Sequence, residues 1–118
     1  MSYSLEGRWQ PLFAELDGEE APVEVLQQTE MELRQGRYFV RFGHLTADQG
    51  SYEIDPGGPP AQLTLRGEDG PNAGRTIPCI YKFVEDSLVI CYGLSGTRPP
   101  KFTTTGCTQV YLATYRRK

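Results

Sequence analysis

The chain has 118 residues, 38% of them apolar and 23% charged, proportions that are ordinary for a globular protein. One domain spanning 1–118 can bury a core at this length without a metal or disulfide framework. The net charge of −3 disfavours nucleic acid as a partner, and the lack of both a ~20-residue apolar run and a secretory signal predicts a cytoplasmic protein with no membrane span.

The first half of the chain predicts short strands separated by turns. Asp17-Gly18 and Gln35-Gly36-Arg37 are turn signals. Between them, Glu19–Gln28 holds at most one short helix, with Pro22 at its first position. The polar segment 43–49 is interpreted as a loop. Strand-like patterns predict strands over 5–16, 29–35, 38–42 and 50–54.

The second half is organised around a predicted hairpin, Thr76–Tyr92, the longest dense run of β-branched, aromatic and cysteine residues. With Glu85-Asp86 as its turn, the bulky side chains share one face, because a slip of one residue would turn them all to solvent. The expected pairs are Cys79 with Tyr92, Tyr81 with Ile90, and Phe83 with Leu88. Further strands are predicted over 62–66 and 108–116, and loops over 55–60, 67–74 and 93–106.

About eight short strands with regularly spaced turn signals predict an all-β fold. Because successive strands form neighbouring hairpins, an antiparallel up-and-down barrel is favoured over a Greek-key sandwich. The prediction is therefore a barrel of about eight strands with at most one short helix.

The cysteines and the single histidine predict no metal, cofactor or catalytic group. The three cysteines form no C-x-x-C pair and suit a reducing compartment, where each packs as a small apolar residue. Together with His44 they match the count of a Cys3His zinc site but not its short ligand spacing. His44 is interpreted as a solvated loop residue rather than a haem ligand. No acid–base pair is evident, so no catalytic residue is predicted.

Gly7-Arg8-Trp9, at the start of the first strand, matches the Gly-x-Trp signature of lipocalins, and Arg116 lies near the end of the last strand. The wider chain resembles a bacterial family of small lipocalin-like domains with no assigned activity, although the family often has Gly where this chain has Cys79. The resemblance implies a barrel whose closed end is formed by Gly7, Trp9 and Arg116, with the guanidinium on the indole. The other matching stretches are 17–18, 50–56, 80–83, 86–91 and 98–102.

Parity along the strands places Tyr52, Tyr81 and Tyr92 on the interior face, where tyrosine combines an apolar ring with a hydroxyl. With Arg98 and Phe102 from the loop Gly93–Gly106, they form the predicted ligand-binding set. Arg98 could bind an anion over the barrel mouth. The favoured alternative is structural: Phe102 packs on the core and Arg98 pairs with a surface acid.

Three functional hypotheses follow. The first is a non-catalytic barrel that binds a small apolar or amphipathic molecule in its interior. The second is a filled barrel that binds another protein through the 93–106 loop or an exposed strand edge. The third, ranked last, is a cyclase or isomerase that acts by confinement, with tyrosine hydroxyls and Arg98 as polar contacts. A monomer or a homodimer fits each of them.

Overall fold

The computed structural model describes residues 4–104 and 109–118, whose strands form one antiparallel sheet that closes on itself. β1 pairs with β3, each later strand pairs with the next one along the chain, and β9 pairs back with β1, which gives a closed eight-stranded barrel. The two-residue strand β2 is attached to the edge of β1. The predicted all-β antiparallel barrel with one short helix is confirmed. The elements are β1 (Gly7–Leu16), β2 (Glu19–Glu20), α1 (Val23–Gln28), β3 (Thr29–Arg34), β4 (Arg37–Phe42), β5 (Leu45–Asp55), β6 (Ala61–Asp69), β7 (Thr76–Val84), β8 (Ser87–Gly93) and β9 (Val110–Arg117).

The β7–β8 hairpin has the predicted register. Cys79 lies opposite Tyr92, and Phe83 opposite Leu88, around the turn at Glu85-Asp86. Cys79 is buried in the interior, whereas Cys91 is buried outside the barrel against the residues that cover the sheet. The two thiols therefore lie on opposite faces, as the register predicts. Cys107 lies outside the described residues.

The main boundary differences from the sequence-based prediction lie in β5, β6 and α1. The strand β6 is longer than predicted and runs to Asp69, so the first three residues of the predicted loop 67–74 belong to it. The predicted loop 43–49 is wrong: Gly43-His44 alone make the turn, and β5 begins at Leu45. The first residues of β5 are exposed, so they lack the apolar alternation by which a strand is recognised. The helix begins at Val23, and Pro22 occupies the N-cap position rather than the first helical position. Among the described residues, no helix is long and apolar enough to cross a membrane.

The closed end of the barrel is built around Trp9, whose Nε1 donates a hydrogen bond to the Leu5 carbonyl at 2.9 Å. The guanidinium over its ring belongs to Arg117, with Cζ 4.3 Å from the ring centroid, and not to Arg116. In the β1–β9 register Trp9 faces Arg117, and Arg116 faces Gln10 on the opposite surface. A strand reverses its face at each residue, so the predicted arginine was wrong by one position.

Gly7 makes room for the same arginine. Its φ of 131° lies outside the range that other residues readily adopt, and a Cβ there would lie 2.6 Å from Arg117 Nη1. Arg117 also donates hydrogen bonds to the carbonyls of Glu6 and Ser4, which ties the first described residues to the last strand. Gly7, Trp9 and Arg117 therefore form one structural unit.

Replacing Arg117 with Ala should lower the free energy of unfolding by roughly 1–2 kcal/mol, because the cation–π contact and two carbonyl hydrogen bonds are lost together. Arg116→Ala is the matched control and should change stability by less than about 0.5 kcal/mol, as ordinary surface substitutions do. Urea denaturation followed by Trp9 fluorescence measures both. Equal losses in the two variants would contradict the assignment.

Candidate functional site: a cavity in the open end of the barrel

The interior of the barrel holds a cavity of about 300 Å³ at the end opposite Trp9. Apolar side chains form most of its wall. The polar groups are mainly tyrosine hydroxyls, and one wall residue, Asp48, carries a carboxylate. Of the five predicted ligand-binding residues, only Tyr92 lines it. The wall consists of Pro11, Thr29, Met31, Tyr38, Val40, Asp48, Leu65, Asn72, Ile77, Tyr92, Leu94, Tyr111 and Tyr115.

A β-bulge brings Asp48 to the interior face. Near the β4–β5 turn, Arg41 pairs with Thr46, but the next residue of β4, Val40, pairs with Asp48. Ala47 is thus an extra residue in β5, and the shift exchanges the inward and outward faces of the strand from that point. Val40 lines the cavity, so its partner Asp48 lines it too. Bulges often re-aim a side chain beside a functional site.

The Asp48 carboxylate is satisfied on one oxygen only. Its Oδ2 accepts hydrogen bonds from Asn72 Nδ2 at 2.7 Å and, more weakly, from the Tyr38 hydroxyl at 3.4 Å. Its Oδ1 is buried and accepts no hydrogen bond from any of the described residues. The whole side chain is nine-tenths buried, with 9% of the residue exposed. A buried acceptor without a donor is costly, and such groups concentrate at functional sites.

Two glycines shape the surroundings of this carboxylate. Gly50 pairs with Tyr38, and a Cβ on it would lie 2.8 Å from Tyr38 Cε2, so its missing side chain leaves space for the ring. Gly70, in the β6–β7 connection, has φ +97°, and a Cβ there would lie 3.1 Å from Asp48 Oδ1. A side chain at position 70 would therefore crowd the unsatisfied oxygen.

A tyrosine pair forms the second polar point of the cavity. The hydroxyls of Tyr92 and Tyr115 lie 2.6 Å apart, and the Tyr92 hydroxyl also lies 3.7 Å from Met31 Sδ. Burial raises the pKa of both phenols well above the ordinary value, and burial followed by the nearby Asp48 charge raises the pKa of Tyr38. These hydroxyls stay protonated at neutral pH, so they can donate and accept hydrogen bonds but cannot serve as bases.

Arg98 and Phe102 do not reach the cavity, which corrects their predicted role. Arg98 donates hydrogen bonds to the carbonyls of Leu63 and Cys79, at 3.2 and 2.7 Å, and to Thr64 Oγ1 at 3.0 Å. These groups lie on the outer surface of β6 and β7 beside Pro78, which has no N–H to give to the sheet. The structural role is thus the right one, although the partners of Arg98 are backbone carbonyls and not a surface acid.

Phe102 also packs outside the barrel, against Ile80 and Cys91, with the Lys82 Nζ 4.4 Å from its ring centroid. Together with Tyr81 it borders an open groove near the β5–β6 turn. The segment that carries it therefore covers the sheet from outside and is not a lid over the cavity.

Parity predicts the inward face of the tyrosines correctly, but not their depth along the barrel. Tyr81 is buried near the closed end, where its ring lies edge-on to Phe83 at 6.4 Å between centroids, and Tyr52 packs partly buried against the same core. Sequence reasoning missed twelve of the thirteen cavity residues, including three whose hydroxyl or carboxylate groups make the polar contacts described above: Tyr38, Asp48 and Tyr115. Tyr38 and Tyr115 could have been found, because both lie in predicted strands; Asp48 could not, since it lies in a polar stretch without alternation.

Comparison of the chain with protein-family models, curated proteins and solved structures finds no match in any of the three. The lipocalin-like resemblance therefore stays a prediction. Within residues 4–104 and 109–118, no group of three or more His, Cys, Asp or Glu side chains is arranged to hold a metal ion.

The tyrosines give a pH-dependent prediction. The pKa values of all six described tyrosines are raised, mainly by burial. A raised folded-state pKa stabilises the protein below the unfolded value of about 10, and this contribution is lost as pH rises through the folded value. As pH is raised, tyrosinate absorbance should therefore appear at higher pH in the native protein than in the urea-unfolded chain. It should rise together with the loss of the circular dichroism signal, as the protein unfolds. Titration of all seven tyrosines near pH ~10 in a folded protein would contradict this.

Arg98→Ala should lower stability by roughly 2 kcal/mol, because two strand carbonyls lose a charged donor. It should leave the affinity of the cavity for a small apolar probe unchanged, since Arg98 lies on the outer surface. Arg66→Ala is the control: Arg66 pairs with exposed Glu53, and surface ion pairs contribute only about 0–1 kcal/mol. Thermal denaturation compares them. If a folded Arg98→Ala variant lost affinity for the cavity probe, the interpretation of Arg98 as an anion-binding residue at the barrel mouth would be restored.

Proposed function

We propose that the protein binds a small, mostly apolar molecule inside the open end of its barrel. The observation that carries this proposal is the interior cavity of about 300 Å³ with its largely apolar wall. Ligand pockets start at about this volume, and an apolar cavity of roughly half the size is enough for a benzene ring. The expected ligand is therefore one ring or two fused rings with a short substituent.

The wall chemistry supports the same size and polarity. Five aliphatic or thioether side chains offer dispersion contacts without a hydrogen-bonding demand: Met31, Val40, Leu65, Ile77 and Leu94. The tyrosine hydroxyls and the Asp48 carboxylate supply the few polar points that fix the orientation of a ligand. Binding to such a site needs no catalytic step, and the buried tyrosines are too weakly acidic for acid–base exchange at neutral pH.

The rival hypotheses receive less support. A protein-binding module with a filled barrel would leave little interior space, and among the described strands β2 alone lacks a partner on one side along its whole length. A cyclase or isomerase that acts by confinement would lose one of its polar contacts, because Arg98 bonds to the outer surface.

Membership of a lipocalin-like family belongs to this proposal as well. Support comes from the closed barrel and from the unit of Gly7, Trp9 and Arg117 at its closed end. Arg117 takes the place that the resemblance gave to Arg116. An interior ligand site at the opposite end is what such a barrel would provide.

Filling the cavity should abolish binding of a neutral apolar probe, 3-ethylindole, measured by isothermal titration calorimetry. Leu94→Trp places an indole into the wall, while the Leu94 N–H can still donate to the Gln109 carbonyl at 2.9 Å. The matched control is Leu45→Trp, on the neighbouring rim at a side chain that is 73% exposed. We expect Leu94→Trp to lose at least tenfold in affinity, which is about 1.4 kcal/mol of binding free energy, and Leu45→Trp to lose none.

Val40→Trp provides a second filled cavity should Leu94→Trp fold poorly, as judged by circular dichroism. Equal binding by the parent and by folded, filled variants would place the probe elsewhere and contradict the proposal. Failure of the parent protein to bind 3-ethylindole or any other apolar probe of one or two rings would also contradict it.

A further inference from the structure

Resting on the proposed function, we infer that the cavity selects its ligand by charge: it takes a small aromatic or aliphatic amine, whose protonated nitrogen pairs with the Asp48 carboxylate. The inference rests on the sign of the single full charge in the cavity wall and on the one carboxylate oxygen that lacks a donor. It replaces the anionic ligand that the Arg98 hypothesis implied.

The electrostatics of the wall favour a cation. Among the described residues, Asp48 lines the cavity, and no lysine, arginine or histidine does. Arg75 approaches the network from outside, donating to Asn72 Oδ1 at 3.1 Å and to the Leu94 carbonyl, and is itself exposed. A carboxylate ligand would meet a like charge in a site of low dielectric, where repulsion is stronger than in water.

The hydrogen-bonding pattern also favours a donor. Asn72 and Tyr38 both donate to Oδ2 and position the carboxylate, but its charge is only partly compensated, because Oδ1 accepts no hydrogen bond from the described residues. In the tyrosine pair, one hydroxyl donates to the other, and the donating oxygen keeps its lone pairs free to accept a further bond. An ammonium group carries three donors and no acceptor, which suits these acceptors. Charge-assisted bonds of this kind are shorter and stronger than neutral ones.

The location of Asp48 suits an amphipathic amine. The carboxylate lies on one side of a wall that is largely apolar. A ring can therefore occupy the apolar part while a short alkyl arm carries the nitrogen to the acid. The upper limit on size is that of the cavity, about 300 Å³.

Three probes with the same indole ring separate charge from shape: tryptamine, 3-ethylindole and indole-3-propionate, each titrated into the parent protein by calorimetry. We expect tryptamine to bind at least about tenfold tighter than 3-ethylindole, from one charged hydrogen bond, and indole-3-propionate to bind weakest. Asp48→Asn keeps the shape of the side chain and should reduce tryptamine to the affinity of 3-ethylindole.

A surface control excludes general attraction of a cation to an acidic protein. Asp69→Asn removes the same charge from an exposed residue of β6 near the open end and should leave the tryptamine preference intact. Equal reduction in both variants would overturn the inference, as would equal binding of tryptamine and 3-ethylindole by the parent, which would mean that the Asp48 charge does not select the ligand. In those cases the cavity function stands. If none of the three probes binds, both proposals fail.

Discussion

The pairing of β1 with β9 is the constraint on which the rest of the structure depends, because it turns a row of hairpins into a closed wall. Once the sheet is closed, alternate side chains must point either into the barrel or out to solvent. The closed end is filled by Trp9, Leu33 and Leu88, all completely buried. The tyrosines and aliphatic residues at the other end enclose space instead. The cavity is therefore a consequence of where the large side chains lie along the axis.

A single extra residue changes the chemistry of that space. Without the bulge at Ala47, strict alternation would put Ala47 opposite Val40 and turn Asp48 to the outside. The bulge instead buries a carboxylate, which a stability argument alone would not favour. Asn72 and Tyr38 donate hydrogen bonds to Oδ2, whereas Oδ1 accepts none from the described residues. A half-satisfied acid in the wall of an interior cavity lowers stability, which is typical of a functional site rather than of a core.

Sequence reasoning succeeded where local pattern decides the structure and failed where the register decides it. The β7–β8 hairpin was predictable residue by residue, because its two-residue turn and alternating bulk specify one register. The choice between Arg116 and Arg117 depends on the pairing of β9 with β1, which are distant in sequence. The inward turn of Asp48 depends on a bulge that appears only when β4 and β5 are paired. The position of a residue along the barrel axis also depends on the closed sheet. Tyr92 lines the cavity, whereas Tyr81 lies on the same inward face near the closed end.

The segment 98–104, which packs on the outside of the sheet, explains why Arg98 does not offset the charge of Asp48 in the cavity. Residues 98–104 contribute the only predicted cation of the ligand set, Arg98, yet the guanidinium is engaged by the Leu63 and Cys79 carbonyls and Thr64 on the outer sheet surface. Thr104 extends this attachment by donating to Glu15 at 2.6 Å. Drawing Arg98 into the mouth would break three hydrogen bonds and uncover Ile80 and Cys91. Because that exchange is unfavourable, the electrostatic potential inside the cavity keeps the sign of its carboxylate, and the proposed ligand has to complement it.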